Sequence, residues 1–349
     1  MKNFTSFIFV ITMVFVLTLS VNGQDRDVHV SGVVFGDYFY KVDGDSSGSG
    51  NQYSNLKKDD QGFDFRRMYL TFKKNISDDF SANVTLEGNS GITTNGRYGL
   101  FFKVIQLTWN NLIPMGKINL GLISPQTFDI EQDIWSYRSI EKTVGDYRGF
   151  GNSTDVGLSI MGDFDKKGMF HYFAMFGGGT GQKPVFSKKK KFYGQLSANP
   201  TKGLTIAAYG DYETTGEGSK NTTMKGTAGY NSSYFNIGAS VYQLIRSTSG
   251  ITTDVKPFSF SIFAWAPLTT SKDLSVNAFA RFDMYDPDTE NTTSGFKQNF
   301  ITAGLDFMPV KNIHFMPNVW VNTYSDKSSA NIDRPSDVVA RMTFYYKYE

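Results

Sequence analysis

Phe80, Ala82, Val84 and Leu86 alternate along the chain with Ser81, Asn83, Thr85 and Glu87. Successive side chains of a strand point to opposite faces, so this stretch has one oily face and one wet one. The period of two returns in residues 274–284, where the polar set includes Arg281 and Asp283. Followed along the chain, it predicts about sixteen strands: 28–42, 62–75, 78–88, 98–110, 115–123, 153–163, 168–177, 189–199, 203–213, 221–230, 233–246, 254–266, 272–286, 297–308, 311–324 and 336–348. Each is near the roughly 9–11 residues with which a tilted strand crosses hydrocarbon. Short links are expected at 75–78, 110–115, 163–168, 199–203, 230–233, 266–272 and 308–312. They alternate strictly with longer ones rich in Gly, Ser, Asp and Lys, such as 43–61 with its Ser46-Ser47-Gly48-Ser49-Gly50 run.

A soluble sandwich also alternates oily and wet positions. Repetition along the whole chain, an even strand count and turns that are short on one side and long on the other favour an all-β fold. That fold is a transmembrane antiparallel β-barrel with both termini on the periplasmic side. Ala82, Val84, Val276, Ala278, Val319 and Met342 are then expected to face lipid. Asn83, Thr85, Asn277, Arg281 and Arg341 are expected to face the lumen. Three places disturb the rhythm. Lys103 shares parity with Ile105, Leu107 and Trp109, so it sits near a rim or on a bulge, since a lipid-facing Lys costs about 2–4 kcal/mol at mid-bilayer. Pro257 and Pro317 fall inside strand candidates, which marks bulges or weakens those strands. Arg66 and Arg67 have opposite parity, so one is expected to face outward and snorkel at a rim.

Composition narrows the picture. Hydrophobic residues make up 40%, too few for a helical membrane bundle, whereas 15% aromatics suit the girdles of a barrel. The net charge of +2, spread rather than blocked, gives no field to gather nucleic acid. The chain has no cysteine, which excludes a lipoprotein anchor, thiol catalysis and thiolate metal sites. Lys2 followed by an apolar run over 4–19 and then Val21-Asn22-Gly23 reads as a cleaved signal peptide of residues 1–23, with the barrel over 24–349. His29, His171 and His314 lie in three separate strands and no Gly-x-Ser-x-Gly elbow occurs, so a hydrolase is not expected. Asp129, Glu131 and Asp133 lack the glycine spacing of a calcium loop, and Gly177-Gly178-Gly179-Thr180-Gly181 lacks the ending of a phosphate loop. No metal or cofactor is expected. Lys188-Lys189-Lys190-Lys191 suits lipopolysaccharide phosphates at the outer rim, or a plain solvated loop.

The longest link, 124–152, is the third long loop. Phe128, Ile130, Ile134, Trp135, Tyr137 and Ile140 require burial, and Ile130, Ile134 and Trp135 with Arg138 and Lys142 suit a short helical turn. Folded into the lumen, the segment would constrict it and set Glu131, Trp135, Arg138, Lys142, Asp146 and Arg148 along the path. Packed over the mouth, it would be a lid. The final strand carries Phe344, Tyr346 and Tyr348 on one parity, similar to the assembly signal of outer-membrane barrels, although the chain ends in Glu349.

Glu131, the string Trp135-Ser136-Tyr137-Arg138-Ser139-Ile140-Glu141-Lys142 and Asp146 resemble the third-loop motif of phosphate-selective porin-type barrels in their Bacteroidetes form. Phe65-Arg66-Arg67-Met68-Tyr69-Leu70-Thr71-Phe72 and Ser153-Thr154-Asp155-Val156-Gly157-Leu158 are similar to the same family, and the likeness covers about residues 60–210. The resemblance implies a sixteen-stranded homotrimeric channel in which basic residues guide anions, with Arg67 the inward arginine of the second strand. Arg281 and Arg341 would add to the lining. The acids Asp129, Glu131, Asp133, Glu141 and Asp146 offset the loop's cations, so weak selectivity is expected. Two functions follow: a diffusion porin for small hydrophilic solutes, with phosphate-like anions among those the resemblance implies, and a non-channel barrel plugged by its third loop that acts as a surface interaction or structural protein.

Overall fold

The computed structural model describes residues 28–44, 53–94, 97–184, 186, 188–271, 274–330 and 332–349. The expected signal peptide and the 46–50 run lie outside the described residues. The described chain is a closed barrel of sixteen strands. They are β1 (His29–Asp43), β2 (Gln61–Asn75), β3 (Phe80–Thr94), β4 (Arg97–Asn110), β5 (Gly116–Ile123), β6 (Asp155–Asp163), β7 (Phe170–Gly177), β8 (Lys191–Thr201), β9 (Leu204–Gly216), β10 (Ser219–Asn231), β11 (Asn236–Ser247), β12 (Phe258–Thr270), β13 (Ser275–Asp286), β14 (Phe296–Val310), β15 (Ile313–Asp326) and β16 (Asp337–Tyr348). Every strand pairs antiparallel with its chain neighbour, and β16 closes on β1. Two short helices, α1 (Asp129–Trp135) and α2 (Val144–Tyr147), lie in the link between β5 and β6.

The two faces of the sheet are reversed relative to a soluble protein. On β13 Arg281 and Asp283 are buried while Met284 is exposed, and on β10 Thr223, Lys225 and Thr227 are buried while Met224 is exposed. Buried charge and exposed aliphatic side chains are the informative inversion, because water drives the opposite arrangement. The polar face is the barrel's interior.

The irregular positions resolve into bulges. The β3–β4 register shifts between Thr85 and Leu86, whose partners are Val104 and Phe102. Lys103 is the extra residue, and its amine turns to the interior, 2.7 Å from the Ser153 hydroxyl. Leu100 and Phe102 are exposed before the bulge and Ile105, Leu107 and Trp109 after it, so one residue switches the outward parity. The expectation that Arg66 or Arg67 faces outward is corrected in the same way. Phe35 pairs with Arg67 but Asp37 with Asp64, which leaves Phe65 and Arg66 opposite Gly36 alone. That bulge brings both arginines inside. A Cβ at Gly36 would come within 2.4 Å of the Asp64 carbonyl oxygen, so the bulge requires glycine there.

Pro257 lies just before β12, and Pro317 sits inside β15 opposite Met342. Toward β14 the pairing lapses between Gly304–Asn318 and Phe307–Phe315, where proline has no N–H to give. The strict short–long alternation also fails. The β9–β10 link is only Glu217 and Gly218, with Gly218 at φ +68°, and β3 and β4 extend to Thr94 and Arg97. The closing seam has its own packing: a Cβ at Gly32 would meet the Tyr348 ring at 2.2 Å, and one at Gly36 the Phe344 ring at 2.7 Å.

Candidate functional site

The β5–β6 link packs side chain by side chain against interior-face residues. It begins with Ser124, whose hydroxyl donates to Asp129 at 2.7 Å, and Thr127, whose hydroxyl lies 2.9 Å from that of Tyr209. Lys225 donates to the Thr127 carbonyl at 2.7 Å. Helix α1 then lays Ile134 and Trp135 into a cluster with Phe263, Phe279 and Met316. Two glycines permit this approach: a Cβ at Gly229 or Gly238 would come within 2.6 or 2.8 Å of Ile134. Ser136 ends the helix in the left-handed region at φ 62°, its N–H returning to Gln132.

Beyond α1 the segment is tied to strands from across the barrel. The Tyr137 hydroxyl donates to Asp306 at 3.1 Å and accepts from Asn277 at 3.1 Å. Arg66 donates to the carbonyls of Ser139 and Ile140 and pairs with Asp37. Trp320 donates to the Glu141 carboxylate at 3.0 Å, and Arg281 donates to the Lys142 carbonyl while paired with Asp283. Gly145 of α2 lies against the Tyr242 ring, where a Cβ would fall within 2.4 Å. Arg148 bonds Gln298 at 2.6 Å and Asn322 at 3.0 Å, between the rings of Tyr147 and Tyr285.

These contacts sort the residues anticipated from sequence. Glu131 and Trp135 do not face open space: both are fully buried, Glu131 accepting from the Tyr242 hydroxyl and Trp135 donating to the Glu141 carbonyl. Helical geometry is the reason, since both lie on the face of α1 turned to the wall. Arg281 and Arg341 face the interior but are buried in their own pairings, Arg341 with Asn318 at 2.8 Å. Arg138, Lys142 and Asp146 remain partly open.

Two sets of charges define the gap. On the loop, Asp146 lies 3.5 Å from Arg138 and 3.5 Å from Lys142. On the wall, Glu87 lies 2.8 Å from Arg67 and 3.2 Å from Lys103. Each carboxylate is thus held between two cations. Burial would raise the Asp146 pKa, but Arg138, Lys142 and, from the wall, Arg67 and Lys103 hold it below the ordinary carboxylate value. Burial likewise works against Glu141, and Arg66 and Arg341 outweigh it, so its pKa is lowered. Glu131 goes the other way: burial dominates and raises its pKa, against Lys225 and the Tyr242 hydroxyl. A cavity of about 270 Å³ lies on one side of Arg138, lined also by Arg67, Asn89 and Lys142. Another of about 460 Å³, lined by Tyr69, Gln132 and Asn277, lies on the other side. Arg138 and Phe35 line both.

Sequence reasoning missed Arg66, Glu87 and Lys103 as site residues. Glu87 was legible, because it shares the wet parity of Ser81, Asn83 and Thr85. The two bulges hid the others. The β1–β2 link also contributes: Tyr53 is buried among Phe300, Trp320 and Val339 and donates to Asp37 at 2.5 Å. Of the lysine run, Lys191 is buried and paired with Asp211 at 3.1 Å, which takes it away from any lipid phosphate.

No family model matches the chain, and no curated protein matches it in sequence. Solved structures do match in fold. An anion-selective porin from Comamonas acidovorans is 15% identical, with a TM-score of 0.66 over 93% of this chain and 100% of that one. The outer membrane channel DcaP of Acinetobacter baumannii is 13% identical, with a TM-score of 0.62 over 94% of this chain and 99% of that one. Salmonella typhi OmpF, in complex with daunomycin, is 13% identical, with a TM-score of 0.61 over 93% and 98%.

Proposed function

We propose that the protein is an outer-membrane porin, a passive channel for small hydrophilic solutes with a weak preference for anions. The reversed faces of a closed sixteen-stranded barrel carry this reading: an apolar exterior suits lipid and a charged interior suits water. The fold likeness to the Comamonas, Acinetobacter and Salmonella proteins supports it. In this reading the β5–β6 loop folds into the lumen and narrows it. Arg138, which lines the cavities on both of its faces, stands at the narrowest point, with Lys142 and Asp146 facing Arg67, Glu87 and Lys103. Four cations against two carboxylates leave a positive remainder, and confined water lets single charges count. The Vibrio cholerae OmpT structure is described in a trimer form, and we extend a homotrimer to this chain. Lipopolysaccharide would meet Lys188 and Lys189 at the outer rim, and chemical cross-linking in outer membranes reads the oligomer.

Purified protein in planar bilayers tests the channel. The reversal potential in a salt gradient should move toward cations when Arg138 and Lys142 are both replaced by Glu. Lys189→Glu should leave it nearly unchanged. An unaltered reversal potential in the double variant, with conductance intact, removes the loop from the path. No conductance in folded protein favours a plugged barrel acting as a surface interaction protein, a reading that the ties across the barrel from Arg66 to Ser139 and Ile140 also fit.

A further inference from the structure

We infer that the lumen holds, beneath α1 at its short-turn end, a binding site for neutral polyhydroxylated solutes of one or two sugar rings. The inference rests on the porin reading for how a sugar reaches the site. A cavity of about 680 Å³ opens there among the β4–β5, β6–β7 and β8–β9 turns, within the range of small-molecule sites. Its polar lining is mostly neutral: Asn110, Gln126, Gln195, Ser197, Asn199 and Thr205 supply amides and hydroxyls. Ile130, Met161 and Phe173 supply apolar faces. The ionisable groups on it include Lys117, Asp133, Asp163 and His171, the last two hydrogen-bonded to each other, and they give it no surplus of positive charge. It therefore differs in kind from the cationic gap around Arg138.

Gln195 carries the argument. It is 4% exposed, and its amide N–H donates to Gln126 at 2.9 Å. Its own carbonyl oxygen is buried and accepts no hydrogen bond. The acceptor is closed off as the side chains stand, so a sugar hydroxyl reaches it by displacing the Gln126 side chain, which lines the same cavity. A hydroxyl both donates and accepts, so it can satisfy the orphaned oxygen and replace the lost contact. Nearby groups are already oriented to receive the rest of such a molecule. Asn199 is fixed by His171 at 2.8 Å and by the Thr205 hydroxyl at 2.9 Å, and His171 in turn by Asp163 at 2.5 Å. The apolar faces match the C–H side of a pyranose ring, and the amides match its rim.

Isothermal titration of the purified protein in detergent, with glucose and with maltose, tests the site. Saturable binding in the millimolar range is expected, weakened at least tenfold by Gln195→Leu, which keeps the bulk and removes the acceptor. Ser197→Leu, which fills the cavity from the same strand, should weaken it likewise, and heat-modifiable gel migration establishes that each variant is folded. Absence of saturable heat with both sugars overturns the inference, as does equal affinity in wild type and both variants. Conductance in potassium chloride is read on the same preparation. A conducting protein that binds no sugar refutes the site alone, whereas a protein that binds maltose but passes no current refutes the channel and leaves the site.

Discussion

Tyr137 and Arg138 are neighbours in sequence and live in opposite surroundings. Tyr137, with Trp135, Ile140 and Glu141, is sunk into the wall among Phe279, Met316 and Trp320. Arg138, with Lys142 and Asp146, stands in the gap with long 3.5 Å contacts. The wall side is held by close packing and by buried charges tied to fixed partners, such as Glu141 to Trp320 and Arg281 to Asp283. The gap side is held by loose ion pairs of a kind that contributes little to stability. One loop thus carries two kinds of side chain: the buried set fixes where it lies, and the open set, under the channel reading proposed above, would act on what passes it.

The largest test of that division is Trp135→Ala. Removing a fully buried indole from the cluster should cost about 3–5 kcal/mol, read as a lower denaturation midpoint, and should make single-channel current noisy as α1 loosens. Arg66→Gln comes next. It leaves Asp37 with the hydroxyls of Tyr53 and Thr343 and with Arg341 at 4.0 Å, and releases two loop carbonyls, for a loss of about 3 kcal/mol, the low end for a broken buried pair. Asp146→Asn should do the reverse: stability should change by less than about 1 kcal/mol, while reversal potentials move toward anions. If Asp146→Asn unfolds the protein as readily as Trp135→Ala, the division is wrong.

Acid gives the smallest and sharpest effect. The folded Asp146 pKa is depressed, so its share of stability and its negative charge are fully present above the ordinary value of 3.8 and are lost only as pH falls through the lower folded value. Selectivity should therefore stay flat as pH falls to about 4 and shift toward anions below it. Glu131 has the opposite sign, because burial raises its folded pKa. Its charged form opposes folding at high pH, and Glu131→Gln should be no less stable than wild type at pH 8, with the difference fading in acid.

The strands were legible because a period of two survives in nearly every segment, and the observed ends fall within four residues of the expected ones except at β3, which runs six residues further, to Thr94. The third loop was legible from its length and its apolar load. Which of its charges open into the gap was not, because that depends on which face of α1 meets Gly229 and Gly238, a contact made across the barrel. Arg66 was hidden for a related reason. Its inward turn comes from a register shift opposite Gly36, and register is a property of two strands together. The β9–β10 link read as a long loop because Thr- and Gly-rich strand ends look like loop by composition.

Lys103 can be viewed genetically. Without it, Leu100, Phe101, Phe102, Val104, Ile105, Gln106 and Leu107 would alternate perfectly, outward and inward, in an unbroken strand. The wall cation therefore occupies the one place in β4 where a single codon can be gained or lost with no other side chain changing sides. A one-codon deletion at 103 should erase the bulge and the charge together and leave a closed barrel. Substituting Lys103 would remove only the charge. The protein could thus change the charge of its gap by insertion and deletion, a route closed to any position in a regular strand, where the same event would turn the rest of the face inside out.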